Sequence, residues 1–362
     1  MLFKLQPLSF VAPALVLLPF AGTTVAADFY AGKTITVITS TGSGGSYAAA
    51  ARAIASHMPQ YIPGKPNMIV KNMPGGGHMR ATNFLYNQAP KDGTVIGTVV
   101  HTVPMHQVVD GRGARYESSK FAWIGAAGLT NLTVVVNTSA GVKSLKDAMA
   151  KEVTMGATGT GSGTYLYPNA LNKLLGTKFK IIVGYRRSRD IDLAMERGEV
   201  NGRAGGSYGA LFAAHADKLK SGKQLVIAQI GYKRDPYLKN VPLLQEMTDD
   251  KEKREMLRFI SAPVNLGRPY MAPPGTPADR VAILRKAFDA TMKDKGFLAD
   301  AKKLKLDLAP INAAEVQKVV DETVKAPAAL IAKVKAAIAP SAEDVAKAKA
   351  ARKKRKKKKK SK

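Results

Sequence analysis

The chain has 362 residues, 45% of them hydrophobic and 23% charged, with no cysteine and a formal net charge of +29. That length allows two compact α/β domains, and the composition is that of an ordinary globular protein. The lack of cysteine excludes disulfides, thiolate metal sites and cysteine nucleophiles, and the excess of cations favours anionic partners.

Residues 1–27 start with a basic Lys4, run apolar, and end in small residues with Val25 and Ala27 in small-x-small spacing. They read as a cleaved signal peptide, so a periplasmic location is expected. Pro13 and Pro19 break the apolar run, which is too short to span a bilayer. Next, 34–40 is β-rich and ends in TGSGGS (41–46), after which 47–58 reads as a helix with Ser46 as N-cap. The segment 68–73 is a further strand, followed by Gly75, Gly76 and Gly77 and a helix over 78–87 that places Ala81, Phe84 and Leu85 on one face. A turn at 89–93 leads into a strand over 94–100, with His101 and Thr102 at its end. Closely spaced strands follow at 121–128 and 132–138, then a helix capped by Ser144 and Asp147. The strand 153–158 meets a second glycine-rich turn, GTGSGT (159–164), before a helix facing Leu166, Ala170, Leu171, Leu174 and Leu175 to the core. A strand at 180–185, a helix at 191–198 stopped by Gly198, and a strand at 224–231 come next. Thr276 is read as the N-cap of a helix with Pro277 at its first position, and Asn312 with Glu315 as the cap of one long final helix. Residues 339–362 are expected to be a disordered Lys-rich tail, because 352–362 holds ten Lys or Arg that repel one another and can bury nothing. Setting aside those ten and Lys4 leaves a body of +18.

The recurring unit is a strand, a glycine-rich loop and a helix start, at 39–47, 73–79 and 158–165. In open α/β sheets ligands bind beyond the carboxyl ends of strands, where free helix N–H groups and bare glycine backbone suit an anion. The hydroxyls of Ser43, Ser46, Thr158, Thr160, Ser162 and Thr164 fit carboxylate or phosphate oxygens. His78 opens a helix beside the glycine triplet, and His101 and Thr102 are placed to line the same cleft. Arg187, in YRRSRD (185–190), stands at a strand end where a guanidinium could clamp a carboxylate.

Enzymatic motifs fail. The Gly-Lys-Thr at 32–34 lacks the first glycine of a Walker loop, and Tyr47 interrupts a dinucleotide pattern begun at 42. GGSYG (205–209) matches a nucleophile elbow at Ser207, but the only later histidine is His215 and no acid lies between them. Ser207 is retained as a ligand-binding hydroxyl. The five histidines show no metal-ligand spacing and no carboxylates pair for acid/base work, so no catalytic residue, metal or cofactor is expected.

The segments NMPGGGHMRATNFLYN with APKDGTVIG, GYRRSRDIDLAMERGEV (184–200), NVPLLQEM (240–247) and APPGTPADRVAILRKAFDA (272–290) make residues 28–338 resemble the substrate-binding proteins of tripartite tricarboxylate transporters, the Bug-type periplasmic receptors. The resemblance implies a type II periplasmic-binding fold: two α/β domains around an interdomain cleft, with two crossovers, one domain at 28–130 plus 259–338 and the other at 131–258. It also implies capture of a small organic carboxylate (di- or tricarboxylate or aromatic acid) by Ser43, Gly44, Gly45, Ser46, Gly76, Gly77, Thr158, Gly159, Thr160, Ser162 and Thr164, and delivery to membrane permease subunits. Ala48 replaces an aspartate common in relatives, and Arg186 and Arg187 replace a small residue and glycine. Both changes point to a more anionic ligand. A monomer without a nucleic-acid partner is expected, with the tail contacting an anionic membrane surface. The alternatives are a same-fold ligand sensor for a signalling partner, or a basic protein that binds anionic surface polymers.

Overall fold

The structure is a computed structural model that describes residues 29–44, 46–128, 131–160, 162–185 and 187–350. The expected signal peptide, the cations of 352–362, Gly45 and Arg186 lie outside the described residues.

The chain first lays down β1 (Thr34–Thr39), α1 (Ser46–His57), β2 (Asn67–Asn72), α2 (Met79–Asn87), β3 (Val95–Thr98), α3 (Val103–Val109) and β4 (Ala122–Ala126). It continues through β5 (Leu132–Asn137), α4 (Leu145–Ala150), β6 (Val153–Ala157), α5 (Gly163–Leu175), β7 (Phe179–Val183), α6 (Ser188–Glu196), β8 (Gly202–Ser207), α7 (Tyr208–Lys220), β9 (Gln224–Ile230) and α8 (Lys251–Ser261). The last elements are β10 (Pro269–Ala272), α9 (Ala278–Thr291), α10 (Lys295–Lys303), β11 (Ile311–Asn312), α11 (Ala313–Val324) and α12 (Ala328–Ile338).

Two sheets result. The first runs β11-β4-β10-β3-β1-β2 and the second β7-β6-β8-β5-β9. In the first, β1 pairs in parallel with β2 and β3, whereas β10 is antiparallel to both β3 and β4. In the second, β6 lies parallel to β7 and β8, and β5 is antiparallel to β8 and β9. The strands at 121–128 and 132–138, neighbours in sequence, therefore belong to different sheets.

Side chains alternate across a strand, and both faces of these sheets are covered by helices, so the strands are apolar on both sides. Ile35, Val37, Ile96 and Tyr270 face Leu284 of α9 and Phe297 of α10, while Ile38, Val95, Trp123 and Met271 face Leu85 of α2 and Val316 of α11. The second sheet divides likewise: Val134 and Val136 join Leu171 of α5, and Val135 joins Ile191 of α6. Trp123, wholly buried, donates its indole N–H to Ser118 O at 3.0 Å.

The strands cross between sheets twice, after β4 and before β10. A helix makes a further passage. The expected single final helix is broken: Asn312 and Glu315 do form a reciprocal capping box, but the helix they open stops at Val324 and a second starts behind Pro327. That second helix, α12, packs Val334 and Ala337 into the core of the second sheet, so 328–338 does not stay with the first domain to which the sequence assigned it. The tail also begins later than 339. Residues 342–350 are helical, and the Tyr165 hydroxyl of α5 donates to Asp344 Oδ2 at 2.7 Å. Thr276 gives no cap: its hydroxyl donates to Pro273 O at 2.8 Å, and Pro277 takes the N-cap position.

Candidate functional site

The carboxyl ends of β1, β2 and β3 bring three loops together. The Asn72 amide donates to Thr41 O at 2.9 Å and the Arg52 guanidinium to Ser43 O at 3.1 Å, so the loop after β1 is held by its carbonyls. Ser43, Gly44 and Ser46 remain exposed. The glycine triplet turns through a single 3₁₀ turn at Gly76–His78, with Gly76 at φ +57 and His78 itself left-handed at φ +78. A non-glycine residue in that region carries strain of order 1–3 kcal/mol, held here by tertiary contact. The contact is a hydrogen bond from His78 Nδ1–H to Ser40 O, 3.1 Å apart, and burial lowers the imidazole pKa so that the ring is neutral.

Tyr47, which the sequence reading met only as a break in a glycine pattern, proves central. Its hydroxyl lies 2.8 Å from Gly267 O, 3.0 Å from His101 Nδ1 and 3.2 Å from His101 N. A hydroxyl donates once, so it donates to Gly267 O and accepts both His101 N–H groups, which fixes the Nδ1–H tautomer. Burial pushes the Tyr47 phenol up to about 12. His101 is driven down to about 4, first by burial and then by His78 and Arg268. Because His101 titrates lower folded than unfolded, the unfolded chain binds more protons on acidification. Stability is therefore full above about pH 6.5 and expected to decline by up to about 3 kcal/mol as pH falls to about 4. Urea unfolding across this window should show the decline, and His101→Asn should flatten it; an identical slope in the variant would refute the assignment.

Across from Tyr47 stands the loop after β6. Its hydroxyls mainly satisfy one another: Thr164 Oγ1 accepts from Thr158 N at 3.0 Å and lies 2.6 Å from Ser162 Oγ, which also reaches Gly159 O at 2.7 Å. This lattice sets the N-terminus of α5 and leaves Thr160 outside it. Beside this loop is a cavity of about 260 Å³, lined by Thr102, Met105, His106, Val109, Asp110 and Arg112 on one side; Ser43, Gly44, Ser46, Gly76 and His78 of the loops after β1 and β2 do not line it. Thr160, Gly163, Leu166 and Tyr167 of the α5 region form a second side, and Lys335, Ile338, Ala339 and Pro340 a third. The Tyr167 phenol is buried beside Tyr47, which together raise its pKa. At roughly 30 Å³ per water, the space holds about nine waters, the scale of a small organic acid.

The described chain thus brings Thr102 and Thr160 into the cavity wall, and gives Thr158, Gly159, Ser162 and Thr164 the task of shaping the loop beside it. Arg187 stays outside: its guanidinium, 74% exposed, donates to Asp190 Oδ1 at 2.9 Å one helical turn away. Ser207 does sit at a strand-to-helix junction, but its hydroxyl caps α7 by accepting from Ala210 N at 3.4 Å. His215 is directed toward Asp192 and Glu196 instead, at 3.7 and 4.0 Å.

The family described as tripartite tricarboxylate transporter family receptor matches residues 50–336. The chain belongs to that family. Among solved structures, a TctC solute-binding protein from Polaromonas, solved without ligand, superposes with a TM-score of 0.65 at 19% identity, over 85% of this chain and 99% of that one. MatC from Rhodopseudomonas palustris, with bound malate, gives 0.60 at 18% identity over 85% and 99%. An R. palustris protein with adipate gives 0.62 at 18% over 84% and 97%. At these identities the likeness is one of fold, the two-domain α/β fold of periplasmic binding proteins. No curated protein sequence matches the chain. Among the described residues no helix of the receptor is long and apolar enough to cross a membrane.

Sequence reasoning missed Met105, Leu166, Tyr167, Lys335 and Pro340 of the receptor's cavity. Tyr47 and Tyr167 had a legible signal, since each lies within five residues of a glycine-rich loop already singled out. Lys335 had none, because only packing of α12 brings it there.

Proposed function

We propose that the receptor captures a small organic carboxylate in the cavity between α3, the start of α5 and α12, and presents it to the membrane permease of a tripartite tricarboxylate-type transporter. The observation that carries this reading is the cavity itself: small, mostly apolar, with hydroxyls of Thr102, Thr160 and Tyr167 and the start of α5 at its wall. Tyr167 is 2% exposed and lines the cavity, and its hydroxyl makes no hydrogen bond to another described residue, so it has a donor to offer a ligand. Apolar walls with a few convergent polar groups are the usual make-up of a small-molecule site. Support also comes from the fold relatives holding malate and adipate. The basic leader at 1–27 suits a periplasmic receptor, and the family is one of receptors rather than enzymes.

A thermal-shift panel of mono-, di-, tri- and aromatic carboxylates on the mature receptor tests the reading. A ligand at about 100 times its Kd adds roughly 2.7 kcal/mol, which raises the melting temperature by several degrees. Response to one acid class is the expected result; silence throughout the panel would reject carboxylate capture.

A further inference from the structure

We infer that Lys335 selects ligands with a second anionic group, so that the end of α12 is a working wall of the binding site and not only a structural brace. The inference rests on the carboxylate reading above and adds which residue sets the charge of the ligand.

The argument is an account of charge around the cavity. Of the ionisable side chains lining it, Arg112 and Asp110 satisfy each other, with Nε 2.5 Å from Oδ1 and Nη2 3.2 Å from Oδ2. His106 is occupied too: its Nε2 is 3.1 Å from Arg112 O and its Nδ1 3.7 Å from Asp110 Oδ2. Lys335 is the remaining cation, and among the described residues its ammonium makes no hydrogen bond or ion pair. Among the described residues the lining therefore carries one uncompensated positive charge, that of Lys335. Met105, Val109, Leu166 and Ile338 supply the apolar remainder. Lys335 is exposed and yet lines the cavity, as a long side chain can when its stem covers apolar surface and its charge stays in water.

That position is held firmly. Lys173 Nζ donates to Ala336 O at 3.0 Å and to Ala339 O at 2.8 Å, and the Asn169 amide reaches Ala339 O at 3.2 Å. The last turn of α12 is thus pinned to α5, the helix whose start lines the same cavity. The cation foreseen for this task, Arg187, is engaged with Asp190 and does not line the cavity. A carboxylate met by the hydroxyls and α5 leaves a second carboxylate on the same ligand for Lys335.

The test compares matched pairs, such as adipate with hexanoate and glutarate with pentanoate, by titration calorimetry on the mature receptor and its Lys335→Gln and Lys335→Glu variants. Lys335 is exposed, so both variants should fold, and their melting temperatures without ligand check this. Affinity for the dicarboxylates is expected to fall about tenfold in Lys335→Gln and further in Lys335→Glu, with the monocarboxylates changed less than about twofold. If the wild-type receptor binds a dicarboxylate and the variants bind it equally well, or lose both acids of a pair alike, the role of Lys335 is refuted. If the wild-type receptor binds no acid of the panel, the carboxylate reading itself fails and this inference goes with it.

Discussion

Replacing Arg268 by alanine is expected to cost the receptor about 3–5 kcal/mol of unfolding free energy. Arg268 sits where the chain re-enters the first sheet before β10. Its Nη1 donates to Gly128 O at 3.1 Å and Asp307 O at 2.9 Å, and Nη2 pairs with Asp307 Oδ1 at 2.9 Å. Both side chains are almost wholly buried, at 3% and 6% exposure. A buried ion pair adds little over a well-packed apolar pair, but removing one partner strips a buried charge of its compensation. The backbone carbonyls of Gly128 and Asp307 lose a donor at the same time, at about 1–3 kcal/mol for each buried group left unsatisfied. Arg268→Lys should recover only part of the loss, because a single ammonium cannot replace the planar fork that serves three oxygens. Urea unfolding of the three proteins decides the matter; a loss below about 1 kcal/mol in Arg268→Ala would show the pair to be dispensable.

Gly128→Ala should be comparably severe, for a steric reason. Gly128 closes the passage out of β4 with φ +67, and a β-carbon there would lie 1.8 Å from Ala309 O and 2.3 Å from its carbonyl carbon. Backbone, not a pliable side chain, is in the way. The segment before β11 would have to withdraw, and we expect a loss of at least about 3 kcal/mol, above the 1–2 kcal/mol of left-handed strain alone. Gly176 supplies the control: it has φ +74 at the end of α5, but nothing lies within 4 Å of an added β-carbon. Gly176→Ala should therefore show the strain without the clash. Equal melting temperatures for the two alanine variants would mean that the Ala309 contact yields freely.

What the sequence disclosed follows the reach of each signal. The β-rich runs of β1 and β5 and the boxes at Ser144–Asp147 and Asn312–Glu315 are local, and the structure holds all four. Strand β8, GRAGGS, carries three glycines and no β-branched residue, so propensity speaks against it. It becomes a strand because β5 and β6 present edges on either side of it. Of the glycine-rich loops read from the sequence, the one at 159–164 borders the cavity through Thr160 and Gly163, and those at 41–46 and 75–77 do not. The capture of Arg187 by Asp190 was legible too, since the N-cap position stands three residues before an acid in the first turn of α6, although strand-end geometry suggested a ligand clamp. The wall contributed by Lys335 and Pro340 was hidden, because no pattern near residue 335 records which distant helix it will meet.

The return of α12 to the second core bears on the order in which the chain can fold. Val334 and Ala337 complete a core that begins at Met105 and Val109, so that core stays unsealed until the chain has been made as far as residue 337. Contacts of such long sequence separation form late and slowly, and the usual progression of finished domains from the amino end is denied to this chain. The second core is therefore expected to close last, after every strand of both sheets has been made.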